Sequence, residues 1–140
     1  MIDKKDFKKN KKLMESYREL RENVISKSRK VISLSKQVIY ALHRNNIQES
    51  RKFKDKIFKE KNELINLVKN NPKLRYSGIF SVAIQEYVEA LAYFEFIINK
   101  KIPSKEELDV EYYEYLLGIC DLTGELERKA VYSVNDEEYE

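Results

Sequence analysis

The chain has 140 residues, of which 36% are charged, with few glycines and prolines and a mean hydropathy of -0.65. This length and composition predict a single helical domain over residues 1–140. No apolar run reaches the roughly 20 residues of a membrane-crossing helix, and the basic start MIDKKDFKKNKK lacks the apolar core of a signal peptide. The one cysteine excludes an internal disulfide, so we expect a cytoplasmic protein with no membrane partner.

The charge is divided unevenly along the chain, although the net charge is only +3. Residues 1–80 hold 22 Lys and Arg against 9 Asp and Glu, whereas residues 81–140 hold 5 against 15. The basic half indicates a polyanionic partner, and carboxylates on the apolar helices of the acidic half indicate a metal. Charge alone slightly favours the alternative, in which the two halves pack on each other or on another subunit and cancel.

Residues 3 to about 44 are predicted to form one long helix. Val24, Val31 and Val38, each followed by an isoleucine, recur every seven residues, and this period is typical of a long packing seam between supercoiled helices. The helix would span about 60 Å, which exceeds a compact domain of this size. We therefore expect part of it to pack on another subunit.

After HRNN, residues 43–46, a second helix is predicted over about 48–69. It ends at NNPK, because Pro72 cannot continue the helical hydrogen bonds and restricts the residue before it. The apolar side of this helix is predicted to consist of Phe53, Ile57, Phe58, Leu64, Ile65 and Val68.

A third helix is predicted from about 74 to 99, and its core FSVAIQEYVEALAYFEFII is apolar on most sides, so we expect it at the centre. Ser104 and Glu107 match the capping box of a short helix. A last helix is predicted over about 110–134, followed by the acidic tail NDEEYE, which we expect to fray. The predicted fold is all-α, an antiparallel helical bundle.

Two pairs of acids interrupt the apolar runs of the third and last helices. Glu86 and Glu89 are about 60° apart around their helix axis, and Asp121 and Glu125 are about 40° apart, whereas Glu95 lies on the opposite side. Burying a bare carboxylate is costly unless a cation, a proton or a metal compensates. Four carboxylates brought together would suit Mg²⁺ or Mn²⁺. The alternative, which spacing alone favours, is that these acids are exposed or pair with basic residues of the first two helices.

Other site types are excluded or disfavoured by the sequence. His43 is the only histidine, which excludes di-iron carboxylate bundles and zinc sites rich in His and Cys. Beside Arg44 it could move a proton or contact a phosphate, although a lone histidine near a helix end is more often a cap or a surface residue. Cys120 is interpreted as a small core residue, because no histidine is placed to activate it.

Three stretches resemble the translin family, and specifically its translin-associated factor X branch. They are SRKVISLSKQVIYALHR at residues 28–44, IQEYVEALAYFEFI in the third helix and YLLGICDLTGELERKAV in the last helix. The resemblance implies all-α subunits that assemble into hollow, roughly octameric shells and bind single-stranded RNA or DNA. For this branch it also implies a Mg²⁺-dependent endoribonuclease of single-stranded RNA.

The resemblance also implies roles for the four acids, since the branch carries its metal-binding residues in Q-E-Y-V-E-A and D-L-T-G-E. Glu86, Glu89 and Asp121 would ligate Mg²⁺ or Mn²⁺. Glu125 would be a further ligand or a base that positions water, and the metal would lower the pKa of that water. Gly124 would let a substrate or a neighbouring helix approach closely.

Basic residues would hold the RNA backbone by releasing its counterions. Lys73 and Arg75 correspond to a basic nucleic-acid segment of the family, although the family's following His-Arg is replaced here by Ser-Gly. The long helix offers further candidates, whose alternative is a solvated helix face: Arg29, Lys30, Lys36 and Arg44.

The chain ends at Glu140, where members of the family continue with C-terminal helices that help subunits associate. We expect a homo-oligomer or a hetero-oligomer with another translin-like chain. Three alternatives stay open. The chain could be a non-catalytic single-stranded RNA or DNA binder, or a structural subunit of a larger assembly. The third, an all-α nucleotide pyrophosphohydrolase, is disfavoured by the D-x-x-x-E spacing and the large basic half.

Overall fold

A computed structural model describes residues 3–137, and the side chains of residues 3–134. Within that range every element is an α-helix, which confirms the all-α prediction. In chain order the helices are α1 (Lys4–His43), α2 (Ile47–Val68), α3 (Pro72–Arg75), α4 (Gly78–Asn99), α5 (Lys105–Leu108) and α6 (Tyr112–Glu137). No helix in residues 3–137 is both long and apolar enough to span a bilayer.

The first two helices form an antiparallel hairpin. Asn45 reverses the chain in the left-handed region, with φ of 57°, and the Asn46 side chain caps α2 by accepting from the backbone N–H of Glu49 at 3.1 Å. The hydroxyl of Ser50, at the start of α2, donates to the carbonyl of Val38 at 3.2 Å. The turn that HRNN predicts is therefore confirmed.

The predicted third helix over 74–99 is wrong at its start, because the chain forms two helices there. Pro72 occupies the first turn of α3, and the Asn71 side chain caps it by accepting from the N–H of Leu74 at 3.2 Å. Ser77 is extended, and its hydroxyl donates to the carbonyl of Leu74 at 2.7 Å, which closes α3. The main helix begins only afterwards, at Gly78.

Helix α4 lies at the centre of the molecule, as predicted. Its buried residues include Tyr87, Val88, Tyr93 and Phe94, and it packs against both α1 and α6. Glu95 lies on the side away from the other acids of α4 and pairs with Lys54 of α2 at 2.5 Å, as its position on the helix predicts.

The segment between α4 and α6 runs back along α4. The predicted capping box of Ser104 and Glu107 is confirmed at α5, and beyond it the hydroxyl of Tyr87 donates to the carbonyl of Leu108 at 3.5 Å. As a result α6 begins near the start of α4 and runs parallel to it. The predicted antiparallel arrangement therefore holds for α1 with α2 and for α2 with α4, but not for α4 with α6. This return places the acids of α6 level with those of α4.

A glycine permits close contact between α4 and α6, but it is Gly118 and not Gly124. A Cβ built on Gly118 would lie 2.6 Å from Cβ of Val88 and 2.8 Å from the carbonyl oxygen of Gln85. Around Gly124 no described atom lies within 4 Å of such a Cβ. The predicted close approach of a neighbouring helix at Gly124 is therefore wrong among the described residues, while an approach by substrate stays a prediction.

Two further predictions of burial are wrong. Phe58 is 52% exposed, because the buried face of α2 follows Ile57, Lys61, Leu64 and Val68 and turns Phe58 outward. Cys120 is exposed as well, since Gly118 and Leu122 face the bundle and a residue between them points away.

The first turns of α1 extend away from the bundle. Every residue from Asp3 to Glu15 is exposed, and the first buried residue of α1 is Val24. At the other end α6 is helical through Glu137, whereas the last part of the tail that we expected to fray, residues 138–140, lies outside the described residues.

Candidate metal centre

The four predicted acids line one cavity of about 370 Å³. Helix α4 contributes Glu86 and Glu89, and α6 contributes Asp121 and Glu125. The two pairs meet because α6 runs parallel to α4 and because spacings of three and four residues keep each pair on one helix face. The remaining lining residues are Lys36, Ile39, Tyr40 and Arg128.

Burial and mutual repulsion make these carboxylates costly to ionise together. Glu89 is 9% exposed, and burial, followed by the charges of Glu86, Asp121 and Glu125, raises its pKa to about 7. Burial also raises the pKa of Glu86, while the ammonium of Lys36 opposes that rise. A bound cation would relieve this repulsion, so the cavity is electrostatically suited to one.

The two acids of α6 are held by neighbouring side chains. Asp121 accepts a hydrogen bond from the side-chain amide of Gln85 at 2.5 Å. Glu125 contacts Nε2 of His43 at 2.6 Å through one oxygen and the guanidinium of Arg128 at 3.4 Å through the other. Both residues thus already have partners within the bundle.

The donor set fits Mg²⁺ or Mn²⁺, since it consists of carboxylate oxygens on two rigid helices. As the side chains stand, however, no three His, Cys, Asp or Glu residues among the described residues form a group that could hold a metal ion. Some of the four carboxylates would have to change rotamer before three of them could reach one ion. The four acids therefore share one cavity, but their described side chains are not yet arranged as a set of metal ligands.

His43 is a part of this site that the sequence led us to interpret as a cap or a surface residue. Its side chain is only 8% exposed and touches both Glu125 and Tyr93. Lys36, Tyr40 and His43 are four and then three residues apart, which places them on one face of α1. This spacing, extended from Lys36 to the end of the helix, is the signal that could have identified His43.

Of the six predicted RNA-binding residues, three are exposed beside a cavity and three are engaged in ion pairs. Lys36 is exposed at the rim of the cavity that the four acids line. Arg29 and Lys73 are exposed and line a second cavity of about 460 Å³, which we call the basic cavity and which also includes Arg21 and Tyr17. The ammonium of Lys73 lies 5.1 Å from the centre of the Tyr17 ring.

The other three are engaged in ion pairs. Lys30 pairs with Glu60, and Arg44 pairs with Glu49 at 2.9 Å. Arg75 is 22% exposed in its side chain and pairs with the buried Glu114 at 2.7 Å, with its guanidinium 4.5 Å from the centre of the Phe80 ring. These ion pairs join two helices or stabilise a helix end. A phosphate would have to compete with the glutamates for these cations.

The two oppositely charged halves of the sequence pack together, as the alternative reading of the charge pattern requires. Lys54 pairs with Glu95, and Lys61, buried in α2, pairs with Asp109 at 3.2 Å. The pairing is partial, because neither Arg29 nor Lys73 forms an ion pair with any described residue.

Comparison with known proteins gives a consistent set of relatives. The model of the Translin family matches residues 19–140. An uncharacterized protein of Methanocaldococcus jannaschii is 31% identical over 121 residues, covering 84% of this chain and 53% of that protein. A Translin-associated protein X homolog of Schizosaccharomyces pombe is 26% identical over 137 residues, covering 88% of this chain and 59% of that protein.

A solved structure has the same fold. The crystal structure of apo-NeC3PO superposes with a TM-score of 0.88 at 31% sequence identity, covering 98% of this chain and 72% of that one. The chain thus spans somewhat more than half the length of the two curated relatives that it matches.

Proposed function

We propose, because this chain belongs to the translin family, that it is a metal-dependent endoribonuclease that binds and cleaves single-stranded RNA. One observation carries the proposal: Glu86, Glu89, Asp121 and Glu125 come from two helices and line a single cavity. The relationship to a Translin-associated protein X homolog supports the nuclease branch over the branch that only binds.

Each side chain has a task in this proposal. Glu86, Glu89 and Asp121 would bind Mg²⁺ or Mn²⁺, and Glu125 would add a further oxygen or orient the attacking water. When bound, the metal lowers the pKa of water and neutralises charge on the phosphoryl group. Lys36 and Arg128, at the same cavity, are placed to attract the phosphate oxygens of the substrate.

The basic cavity supplies a route for the RNA backbone. Arg29 and Lys36 are seven residues apart on one face of α1, a separation of about 10 Å. A strand held by Arg29 and Lys73 at the basic cavity could therefore continue along α1 to Lys36 and the acids. We propose that these three residues make the main phosphate contacts, ahead of Lys30, Arg44 and Arg75, whose charges are already paired.

We also propose that the chain acts in an oligomer, either with copies of itself or with another translin-like chain. The exposed first turns of α1 carry large apolar side chains, among them Phe7, Leu13 and Met14, each at least 60% exposed. Apolar area of this kind, repeated along a projecting helix, is typical of a surface that another subunit covers.

The test is an assay with a single-stranded RNA labelled at one end, Mg²⁺ or Mn²⁺, and a chelator control. Internal cleavage by the wild-type chain should be lost with the chelator. Glu89→Gln and Asp121→Asn should each lower the cleavage rate by about a hundredfold or more, because losing a residue that only supports a metal ligand already costs about 10–100-fold.

Glu95→Gln is the matched control, since it changes the same residue type on the far side of α4 and should leave cleavage unchanged. Equal loss in Glu95→Gln would contradict the assignment of the acids.

A second candidate function is a binder of single-stranded RNA or DNA without cleavage. It is favoured by the arrangement of the acids, because no three of them, as the described side chains stand, form a group that could hold a metal ion. RNA binding that is unaffected by the chelator, with no cleavage in Mg²⁺ or Mn²⁺, would establish this candidate and reject the nuclease.

A further inference from the structure

We propose that His43 is a positioning residue for the candidate metal centre, and that it fixes the carboxylate of Glu125 with the help of Tyr93. This inference rests on the proposed function, because it assigns a role toward the metal that the acids would bind. It gives a task to the only histidine of the chain, which reaches Glu125 from the end of α1.

The three side chains form a continuous chain of contacts across three helices. Nε2 of His43 lies 2.6 Å from Oε2 of Glu125, and Nδ1 lies 3.3 Å from the hydroxyl oxygen of Tyr93. The side chains of His43 and Glu125 are 8% and 13% exposed, and Tyr93 is fully buried. Water therefore cannot readily replace either contact.

The chemistry of the partners sets the direction of these hydrogen bonds. A carboxylate only accepts, so Nε2 of His43 must carry the proton that is donated to Glu125. In the neutral ring Nδ1 is then an acceptor, and the hydroxyl of Tyr93 donates to it. Burial raises the pKa of Tyr93, so this hydroxyl keeps its proton and serves as a donor.

The result is a carboxylate held on both sides. His43 holds Oε2 of Glu125 from α1, while Arg128 reaches Oε1 at 3.4 Å from the next turn of α6. Arg128 is half exposed, whereas His43 is almost fully buried, so His43 is the more constrained partner. With Oε2 fixed, the remaining lone pairs of Glu125 keep one orientation toward the cavity. The side chain of Glu125 is then already in one rotamer, so binding of an ion costs less conformational entropy.

The single histidine makes the hydrogen bonds directly measurable without any metal. A chain labelled with ¹⁵N-histidine should give one imidazole spin system, with Nε2 protonated and Nδ1 bare. Tyr93→Phe removes the donor to Nδ1 and should shift the Nδ1 resonance. A protonated Nδ1 with a bare Nε2 in the wild-type chain would overturn the proposal.

Affinity for Mn²⁺ tests the role itself, measured by calorimetry on the full chain. His43→Leu should weaken binding by about 10–100-fold, the usual effect of removing a partner of a metal ligand. His43→Gln should recover most of that loss, because its amide nitrogen can stand near the position of Nε2 and donate to Glu125. Melting curves show whether each variant is folded.

The outcomes separate this inference from the proposed function. If wild type binds Mn²⁺ and folded His43→Leu binds equally well, the positioning role is wrong while the metal centre stands. If folded His43→Gln is as weak as His43→Leu, the hydrogen bond is not what matters and the inference is again wrong. If the wild-type chain binds no Mn²⁺, the proposed function fails, and the inference fails with it.

Discussion

Glu89 connects the stability of the fold to the candidate site, because it is buried among three other carboxylates. Its pKa of about 7 in the folded chain lies above the ordinary value of 4.5. Between these two values the folded chain holds a proton that the unfolded chain has released. The free energy of unfolding contributed by Glu89 is therefore fully present below about pH 4.5 and is lost as the pH rises to about 7.

We expect Glu89→Gln to remove this dependence. A pKa rise of this size corresponds to at most about 3 kcal/mol. In a chelator, the free energy of unfolding of the variant relative to that of wild type should therefore increase by up to that amount as the pH rises from about 4.5 to about 8. Urea unfolding at several pH values measures the difference. Mn²⁺ should stabilise wild type at the higher pH and so reduce the difference in free energy of unfolding between the two chains. A constant difference between the two chains across this range would contradict the burial of an ionisable Glu89.

The two glycines of α6 provide a matched pair of substitutions. We expect Gly118→Ala to destabilise the fold by about 1–3 kcal/mol, since its Cβ would overlap Val88. Gly124→Ala meets no described atom and should stabilise the chain by up to about 1 kcal/mol through helix propensity. Thermal or urea unfolding distinguishes them. If both variants were stabilised, the close packing of α4 on α6 would be incorrect.

At the scale of residues, the sequence predicted the acids better than their partners. Glu86, Glu89, Asp121 and Glu125 each break an apolar run, and that pattern is visible without a structure. The contact of His43 was missed because its partner, Glu125, is 82 positions away in the chain. Gly118 was missed for the same reason, since only its contact with Val88 distinguishes it from Gly124.

Among the elements, α1 combines a packed half with an exposed half. Residues 3–15 have no buried side chain, whereas Val24, Val31 and Val38 are fully buried. The predicted seven-residue seam is thus confirmed over the second half of the helix. Phe7, Leu13 and Met14 of the first turns remain exposed in the isolated chain, while Tyr17 and Leu20 are partly buried against the core.

We expect amide hydrogen exchange to divide α1 at about this point. In dilute solution the amides of residues 4–15 should exchange many times faster than those of residues 24–42, because helical turns without tertiary packing open readily. Mass spectrometry of peptic peptides measures both segments, and the α2 peptides serve as an internal reference. Strong protection of residues 4–15 that disappears on dilution would indicate contact with another copy. Protection that persists at all concentrations would contradict the isolated arrangement of α1.

The existence of each long helix was predictable, but their directions were not. Apolar periodicity, Pro72 and the capping box at Ser104 mark where helices begin and end. The direction of α6 depends on how the segment after α4 lies on the bundle, and contacts such as that of Tyr87 with Leu108 determine it. Local sequence patterns do not encode such contacts, so the parallel course of α6 could not be read from them.

For the molecule as a whole, part of the uneven charge stays exposed beside the two cavities. Ion pairs such as Lys54 with Glu95 neutralise part of the basic half, but Arg29, Lys36 and Lys73 stay exposed near the two cavities. Under the proposed function these three cations would determine how RNA affinity responds to salt.

We expect the logarithm of RNA affinity to fall with the logarithm of salt concentration with a slope of about -2, from about 0.7 for each of three phosphate contacts on a single strand. Lys73→Ala should reduce the magnitude of the slope by about 0.7. Fluorescence anisotropy in a chelator, which prevents cleavage, measures both. Lys59→Ala, an exposed lysine of α2, is the control and should leave the slope unchanged. An equal change in both variants would argue against the basic cavity.

The return of the chain along α4 also fixes the order in which the site can be completed during synthesis. The chain emerges from the ribosome N-terminus first, so α1, α2 and α4 can pack before α6 exists. At that stage Glu86 and Glu89 lie on a finished helix without Asp121 and Glu125, and His43 has no carboxylate to hold. A nascent chain in which these three helices had packed would therefore have an incomplete centre. Any activity of that centre would begin only once α6 has been made and has docked.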